Sequence, residues 1–523
     1  MKLMQTEPDH DVLIIGSGFA GLAMAQRLLG TGRDDFLILE RGDSVGGTWR
    51  DNHYPGCACD IPSHLYSFSF APNPEWTRMF ATQPEIRGYL ERTATEIGAR
   101  PHLRFGATVT AGELDEETGL WTVSVNGEET ITARVVVSGI GGLSNPSYAQ
   151  VPGLEDFGGA SFHSAEWDHG FDFAGKRVAV IGTGASAIQF VPRIAREVEQ
   201  LHLFQRTAPW IIPKRDRPIP RLERALYRRF PSAQRAYRRF IYWALESRVL
   251  AFSLEPRIMK LAGRLTRLHI RRQISDPELR RTVTPNYVMG CKRILISNDY
   301  YPALDRENVD VVTDGIERVT PTGVVTADGR ELQVDAIIHG TGFMVHDMLS
   351  GFEIKGRDGA DLEQVWAERG MQAHRGTALA GFPNLFFLLG PNTGLGHNSI
   401  IHMIESQAHY VMELLQAMDA ERAWSAEPRA EAQDRFNQEL QAGLDGAVWS
   451  QGGCRSWYLD AEGRNTVLWP DFTYRFRAQT QRVDRDEFLL AERPAPSSRP
   501  APEHAAAYRL PAERPAHPRI VGV

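Results

Sequence analysis

Two stretches of the chain repeat one pattern: a short apolar run, a glycine-rich turn, an apolar helical stretch and a second apolar run. The first begins Asp11-Val-Leu-Ile-Ile, turns through Gly16-Ser-Gly-Phe-Ala-Gly21, continues helix-like to Leu29, and ends with Phe36-Leu-Ile-Leu before Glu40. The second runs Arg177-Val-Ala-Val-Ile, Gly182-Thr-Gly-Ala-Ser-Ala187, a helix, then Leu201-His-Leu-Phe. Each reads as a βαβ unit. Between them Trp121-Thr-Val-Ser-Val, a turn at Asn126-Gly127 and Val135-Val-Val-Ser predict strands that close the first fold. Further on, Val334-Asp-Ala-Ile-Ile predicts a strand leading into Gly340-Thr-Gly-Phe343 and a crossing back to the first unit. Pro383-Asn-Leu-Phe-Phe-Leu-Leu predicts another buried strand, and a long helix is predicted over about 398–418.

Two regions break the alternation. From about Arg221 to Arg281 the chain is rich in Arg, Leu, Tyr and Phe at helical spacing, with few turn signals besides Pro231 and Pro256. It reads as helices inserted into the second unit. A basic amphipathic helix can lie on a membrane, but a helical cap over the second unit is expected instead. After about Ala491 the chain is dense in Pro, Ala and Arg, which predicts a loosely ordered extension.

Composition narrows the picture. A chain of 523 residues exceeds one ordinary core and predicts two or three domains. Apolar residues make up 42% and charged residues 24%, as in a globular protein. The net charge of −7 gives no electrostatic reason to expect nucleic acid. The polar, acidic start over 1–11 lacks the n- and h-regions of a signal peptide. No apolar stretch approaches the roughly 20 residues of a membrane span. The four cysteines, Cys57, Cys59, Cys291 and Cys454, are expected to be buried free thiols in a reducing cytoplasm, with no disulfide framework and no metal site.

The glycine-rich turns assign chemistry. In the first, Gly16 permits the tight turn, Gly18 lets the backbone approach a pyrophosphate at the helix N-terminus, and Gly21 allows close packing of helix on strand. Glu40, about twenty residues on, suits a ribose 2′-hydroxyl and repels a 2′-phosphate, so this site fits FAD or NAD. In the second, Gly182, Gly184 and Ala187 form the turn, and Arg206 and Thr207 stand where the first unit has its acid. A guanidinium and a hydroxyl there fit the 2′-phosphate of NADP(H). Opposite charges at equivalent strand ends therefore place FAD first and NADPH second.

Just before the second unit stands Phe157-Gly-Gly159-Ala-Ser-Phe-His163-Ser-Ala-Glu-Trp167-Asp168, which resembles the fingerprint of the Baeyer–Villiger monooxygenases. Related N-hydroxylating and flavin-containing monooxygenases usually carry Phe or Tyr where Trp167 stands. Gly46-Gly-Thr-Trp49, Tyr54-Pro-Gly-Cys-Ala-Cys-Asp60, Ser138–Pro146, Gly290-Cys-Lys-Arg293, Gly340–Phe343 and Phe382-Pro-Asn-Leu-Phe386 are also similar to family segments. The resemblance implies an α/β fold of two Rossmann-like dinucleotide-binding domains, for FAD and NADP, with a helical insertion. The FAD domain is expected over 1–150 and 345–490, the NADP domain over 151–213 and 284–344, the insertion over 214–283, and a Pro/Ala-rich extension over 491–523. It also implies that NADPH reduces the flavin, that O2 adds at flavin carbon 4a, and that the deprotonated peroxide attacks a ketone to give an ester or lactone. N- or S-oxidation is the alternative.

The same resemblance names residues. Arg293 is the expected active-site cation and Asp60 the carboxylate that orients it. Gly47, Thr48, Trp49, Asp60, Tyr66 and Asn392 join Gly16, Gly18, Gly21 and Glu40 on the flavin side. Lys292 joins Arg206 and Thr207 around the 2′-phosphate. Phe157, Gly159, His163, Trp167 and Asp168 are expected near the domain junction, His163 as a hinge or hydrogen-bonding residue and Trp167 as core. Two departures stand out: Asp51-Asn-His53 replaces the aromatic residues many members carry, so the flavin-side pocket is expected to differ. Gly452–Tyr458 resembles the family's mobile loop only loosely, so Trp457 is not carried over as a cofactor contact.

Overall fold

The computed structural model describes residues 7–255, 257–346 and 351–493. The sequence's first apolar run is strand β1 (His10–Ile15), followed by α1 (Phe19–Gly30) and β2 (Phe36–Glu40). β1 pairs in parallel with β2 on one side and with β3 (Glu129–Ser138) on the other. Its alternating side chains enter two cores: Val12 and Ile14 pack beneath α1, while Leu13 and Ile15 join Trp121, Val136 and Phe387 on the opposite face. A strand buried on both faces reads as continuously apolar, which is why this run was legible. β3 is long enough to serve two further partners besides β1. Its first half continues the antiparallel hairpin from Leu120–Val125, and its end pairs with Leu385–Phe387.

The second sheet is wholly parallel, in the order Val309–Val312, β6 (Gln200–Phe204), β5 (Arg177–Ile181), β7 (Ala336–His339) and β4 (Ala160–His163). α2 (Ala187–Ile194) follows its glycine turn. The molecule thus holds two Rossmann-like dinucleotide folds. The chain crosses between them twice, and the crossings run side by side. Ser147 N–H donates to Gly342 O at 2.9 Å, Met344 N–H donates to Asn145 O at 3.0 Å, and the Thr341 hydroxyl donates to Ser147 O.

Some bounds differ from the pattern-based expectation. The strand expected from Val334 begins at Ala336, because the Val334 N–H is spent on Thr322 O. The strand expected from Pro383 begins at Leu385. The long helix α6 spans Ile400–Glu421 and stops at Arg422, whose φ of 55° is left-handed. The inserted segment is helical as α3 (Arg221–Arg229), α4 (Pro231–Glu246), α5 (Arg257–Gln273) and a short turn over Pro277–Thr282. Ala491, expected to open the extension, ends a strand, Phe488–Ala491, paired with Ser425–Pro428. The extension itself, from 494 on, lies outside the described residues. Among the described residues no helix is long and apolar enough to cross a membrane.

Candidate active site

The first glycine turn leaves no room for side chains. A Cβ on Gly21 would stand 1.9 Å from Gly16 O, and Gly16 itself has φ +97° with Gly139 O only 2.8 Å from its would-be Cβ. Gly18 caps α1, and its Cα faces the left-handed Gly47 at the start of the Thr48–Asp51 turn. This cradle exposes backbone N–H groups at a helix start, the geometry that suits a pyrophosphate. At the end of β2, Glu40 is buried and accepts four hydrogen bonds: Ser17 N–H at 2.9 Å, Ser17 Oγ at 2.8 Å, Gly42 N–H at 2.8 Å and Arg50 Nη1 at 2.6 Å. Burial pushes its pKa up, but the Gly42 N–H and the Arg50 guanidinium outweigh that, and the carboxyl sits below its ordinary value. Sequence reasoning missed Arg50, whose only signal was a basic residue beside the Gly-Gly-Thr-Trp turn.

Trp49 is buried and donates its indole N–H to Tyr66 Oη at 3.0 Å, while Gln83 Nε2 donates to Trp49 O at 2.5 Å. Asn392 sits at φ 56° and spends its amide on Asn465 O (2.7 Å) and Leu468 O (3.1 Å), leaving Oδ1 buried without a donor. It therefore braces the 465–468 segment and has one acceptor to spare. The unusual Asp51-Asn-His53 run is also occupied. Asp51 Oδ1 takes the Arg50 Nε at 2.7 Å, Asn52 Nδ2 donates to Thr48 O at 3.1 Å, and His53 Nδ1 lies 2.8 Å from His169 Nε2.

The second glycine turn has the same form. A Cβ on Gly182, at φ +106°, would meet Gly340 O at 2.5 Å; Gly184 lies beside it, and Ala187 opens α2. At the end of β6 the environment inverts. Arg206 is exposed, and among the described residues neither it nor Lys292 meets a carboxylate. The Thr207 carbonyl accepts from Thr183 Oγ1 at 3.3 Å. Burial and then the charge of Arg206 hold the Lys292 pKa below its ordinary value. Two neighbouring cations without an acid between them suit an anion.

Arg293 and Asp60, from opposite sides of the chain's two folds, meet directly. Arg293 Nη2 donates to Asp60 Oδ2 at 2.5 Å and Nε donates to the same oxygen at 3.1 Å. Both side chains are half-buried. The Asp60 charge pushes the Arg293 pKa up against burial. Burial raises Asp60, but Arg293 and, more weakly, Lys214 lower it further, and it stays ionised below the ordinary carboxylate range. Tyr458 is fully buried with an unpartnered hydroxyl and interacts with both members of the pair; burial lifts its own pKa to about 12, so it is a neutral phenol.

Gln189 of α2 clasps the Asp60 loop from the other fold. Its Oε1 accepts from Tyr54 Oη (3.1 Å) and Ala58 N–H (3.2 Å), and its Nε2 donates to Ala58 O at 2.9 Å. Neither Gln189, Lys214 nor Tyr458 carries a sequence signal beyond its type.

The fingerprint residues gather elsewhere. A Cβ on Gly159 would strike Asp335 O at 2.5 Å and the Phe157 ring at 2.7 Å. His163 ends β4, fully buried, with Nδ1 accepting from Ala165 N–H at 3.1 Å and Nε2 unpartnered. Its ring lies 5.5 Å from that of Tyr148 and 5.6 Å from that of Phe343, one on each crossing. Burial holds its pKa below the usual imidazole value. Trp167 is core, against Phe162, Phe173 and Phe190. Asp168 is exposed and accepts from Gly170 N–H at 2.8 Å. No hydrogen bond or ion pair among the described residues links these five to Arg293 or Asp60.

The expectation about cysteines needs correction. Cys57 and Cys59 are free and buried, and burial raises both, Cys57 to about 12. Cys291 and Cys454 instead form a disulfide. They lie 163 residues apart, so linear spacing carried no trace of the pairing; the fold alone brings their Cα atoms to 6.2 Å, within bridging reach. The bond ties the segment carrying Lys292 and Arg293 to the loop carrying Trp457 and Tyr458. Trp457 is exposed, and its carbonyl lies 2.8 Å from His346 Nε2.

Comparison with known proteins agrees with the architecture of two Rossmann-like folds. Residues 9–263 match the flavin-binding monooxygenase-like family model. The chain is 54% identical, over 92% of each chain, to a Baeyer–Villiger monooxygenase of Pseudomonas aeruginosa, and 50% identical, over 93% of each, to one of Streptomyces coelicolor. Among solved structures it resembles OTEMO in complex with FAD and NADP (28% identity, TM-score 0.84, 93% of this chain and 100% of that one). It also resembles oxidised steroid monooxygenase bound to NADP (31%, 0.82, 92% and 99%).

Proposed function

This chain belongs to the Baeyer–Villiger monooxygenase family, and from that premise we propose that it is an FAD-dependent, NADPH-consuming enzyme. It inserts one atom of O2 beside a ketone carbonyl, yielding esters or lactones, and oxidises sulfides as a side activity. The observation that carries this reading is the Arg293–Asp60 pair, in a chain whose two glycine-turn folds end in strand ends of opposite polarity. Bound flavin supplies hydride acceptance and the activation of O2.

The chain's own residues supply the rest. Gly16, Gly18, Gly21 and Gly47 hold a pyrophosphate against the start of α1, with Thr48, Trp49, Tyr66 and Asn392 around the remainder of FAD. Glu40 receives a ribose hydroxyl when the Ser17 hydroxyl turns aside, since its four acceptor positions are otherwise filled. Gly182, Gly184, Ala187, Arg206, Thr207 and Lys292 hold NADPH through its 2′-phosphate. Arg293, permanently charged even where water is scarce, stabilises negative charge developing on the substrate's carbonyl oxygen. Asp60 fixes the guanidinium's direction, and Tyr458 offers a neutral donor nearby. We assign 1–150 and 345–490 to the flavin side, 151–213 and 284–344 to the NADP side, and the enzyme to the cytoplasm. Of the fingerprint residues Phe157, Gly159, His163, Trp167 and Asp168, His163 acts at the paired crossings and the others support the fold near it, all outside the chemistry.

Mass spectrometry of products from linear, cyclic and aryl ketones, with NADPH and O2, tests the assignment. Esters or lactones one oxygen heavier than the ketone are expected. Oxidation of amines or thioethers alone would make it a heteroatom hydroxylase instead.

A further inference from the structure

Residues 214–283 contain nineteen Lys and Arg against six Asp and Glu, on a chain whose net charge is −7. Within this segment α5 is divided lengthwise. Met259, Gly263, Thr266 and Ile270 are buried against the protein. Ile258, Leu261, Leu265 and Leu268 are 46%, 58%, 63% and 47% exposed. At 3.6 residues per turn the two stripes point about 150° apart, so the apolar one looks away from the enzyme. Arg257, Lys260, Arg264, Arg267 and Arg271 fill the angle between them, all exposed. The helices before it repeat the feature: Leu222 and Leu226 on α3, and Phe240 and Trp243 on α4, are exposed at helical spacing.

A cap over the enzyme accounts for the buried stripe and leaves the outer one unexplained. Scattered exposed apolar side chains are ordinary, but a continuous stripe marks an interaction face. A second copy of the same chain would bring two strongly basic insertions together. An anionic bilayer complements both stripes, its acyl region taking the leucines and its headgroups the arginines. Among the described residues Lys260, Arg264, Arg271 and Arg272 meet no carboxylate that would neutralise them first.

We propose that the outer face of the helical insertion, centred on Leu261 and Leu265 of α5, docks the protein on an anionic phospholipid surface. Docking requires no turnover, so its test stands apart from that of the oxygenation reading. The full-length holoenzyme is floated with vesicles of phosphatidylcholine alone or mixed in equal parts with phosphatidylglycerol. Binding is expected only to the mixed vesicles, and to fall at least about tenfold when salt rises from about 0.1 to about 1 M. Leu261→Glu/Leu265→Glu and, separately, Lys260→Glu/Arg264→Glu should each lower binding at least about tenfold. Because these side chains are exposed, flavin content and melting temperature should not change. Equal recovery with neutral and anionic vesicles, or none with either, overturns the proposal. So does sedimentation in which Leu261→Glu/Leu265→Glu converts a dimer to a monomer while vesicles bind neither form.

Discussion

The ends of β2 and β6 occupy equivalent places in two like folds and are finished in opposite ways. Glu40 is 4% exposed and already satisfied by Ser17, Gly42 and Arg50. Arg206 is exposed and, with Lys292, faces no acid among the described residues. One site is organised by the protein itself, as suits a cofactor that stays. The other is left electrostatically incomplete, as suits a cosubstrate that arrives with its own phosphate and leaves. Similar glycine turns, differing at Gly21 and Ala187, thus lead to opposite strand ends, and the difference lies in what surrounds one side chain at each.

The comparison breaks most sharply at Glu40. Glu40→Ala leaves the Arg50 guanidinium with Asp51 as its carboxylate and the Ser44 carbonyl for Nη1, in a site where Arg50 is only 11% exposed. A loss of about 3–5 kcal/mol of stability is expected, read as lowered melting temperature together with loss of bound flavin. Acid should act in the same direction. Glu40 and Asp60 are both held below their ordinary values of 4.5 and 3.8. Their contribution is therefore complete above those values and disappears as pH falls through the depressed ones. Melting temperature should be insensitive to these groups at neutral pH and fall only in acid, and Glu40→Gln should flatten that acid limb. A Glu40→Ala protein that kept its flavin and its stability would show that the first strand end is no more closed than the second.

Between the two sites, Arg293→Ala should lower ester formation about 10²–10³-fold while both nucleotides still bind, measured by steady-state turnover alongside flavin absorbance. Near-normal ketone turnover would remove Arg293 from its assigned role. The smallest effect belongs to the open end. Arg206→Ala removes one charge-assisted contact of about 1.5–3 kcal/mol, so the KM for NADPH should rise roughly ten- to a hundredfold and the preference over NADH should shrink, with flavin content unchanged. If KM for NADH rose equally, the guanidinium would not be reading the 2′-phosphate.

The two βαβ units, their glycine turns and the charge at each strand end were legible in the sequence because each is local. Strand, turn and helix lie within a few dozen residues, and steric demands such as Gly21 against Gly16 O admit only glycine. Arg293 and Asp60 were found by resemblance, since 233 residues separate them and no periodicity connects them. The clasp of Gln189 on Ala58, the approach of Tyr458 to Arg293 and the bridge from Cys291 to Cys454 had no local signature. The helical insertion stood between: its helices and basic character were plain in the sequence, but which apolar residues faced outward was not.

What the amino-acid order determined alone was therefore the repeated nucleotide-binding unit and the polarity of each copy, because short-range sterics and charge suffice for both. Tertiary structure decided which distant side chains share a half-buried site, which cysteines meet and which stripe of α5 stays uncovered. Those outcomes depend on how separate elements pack, and the contacts concerned are set by distance in space, about which separation along the chain carries no information.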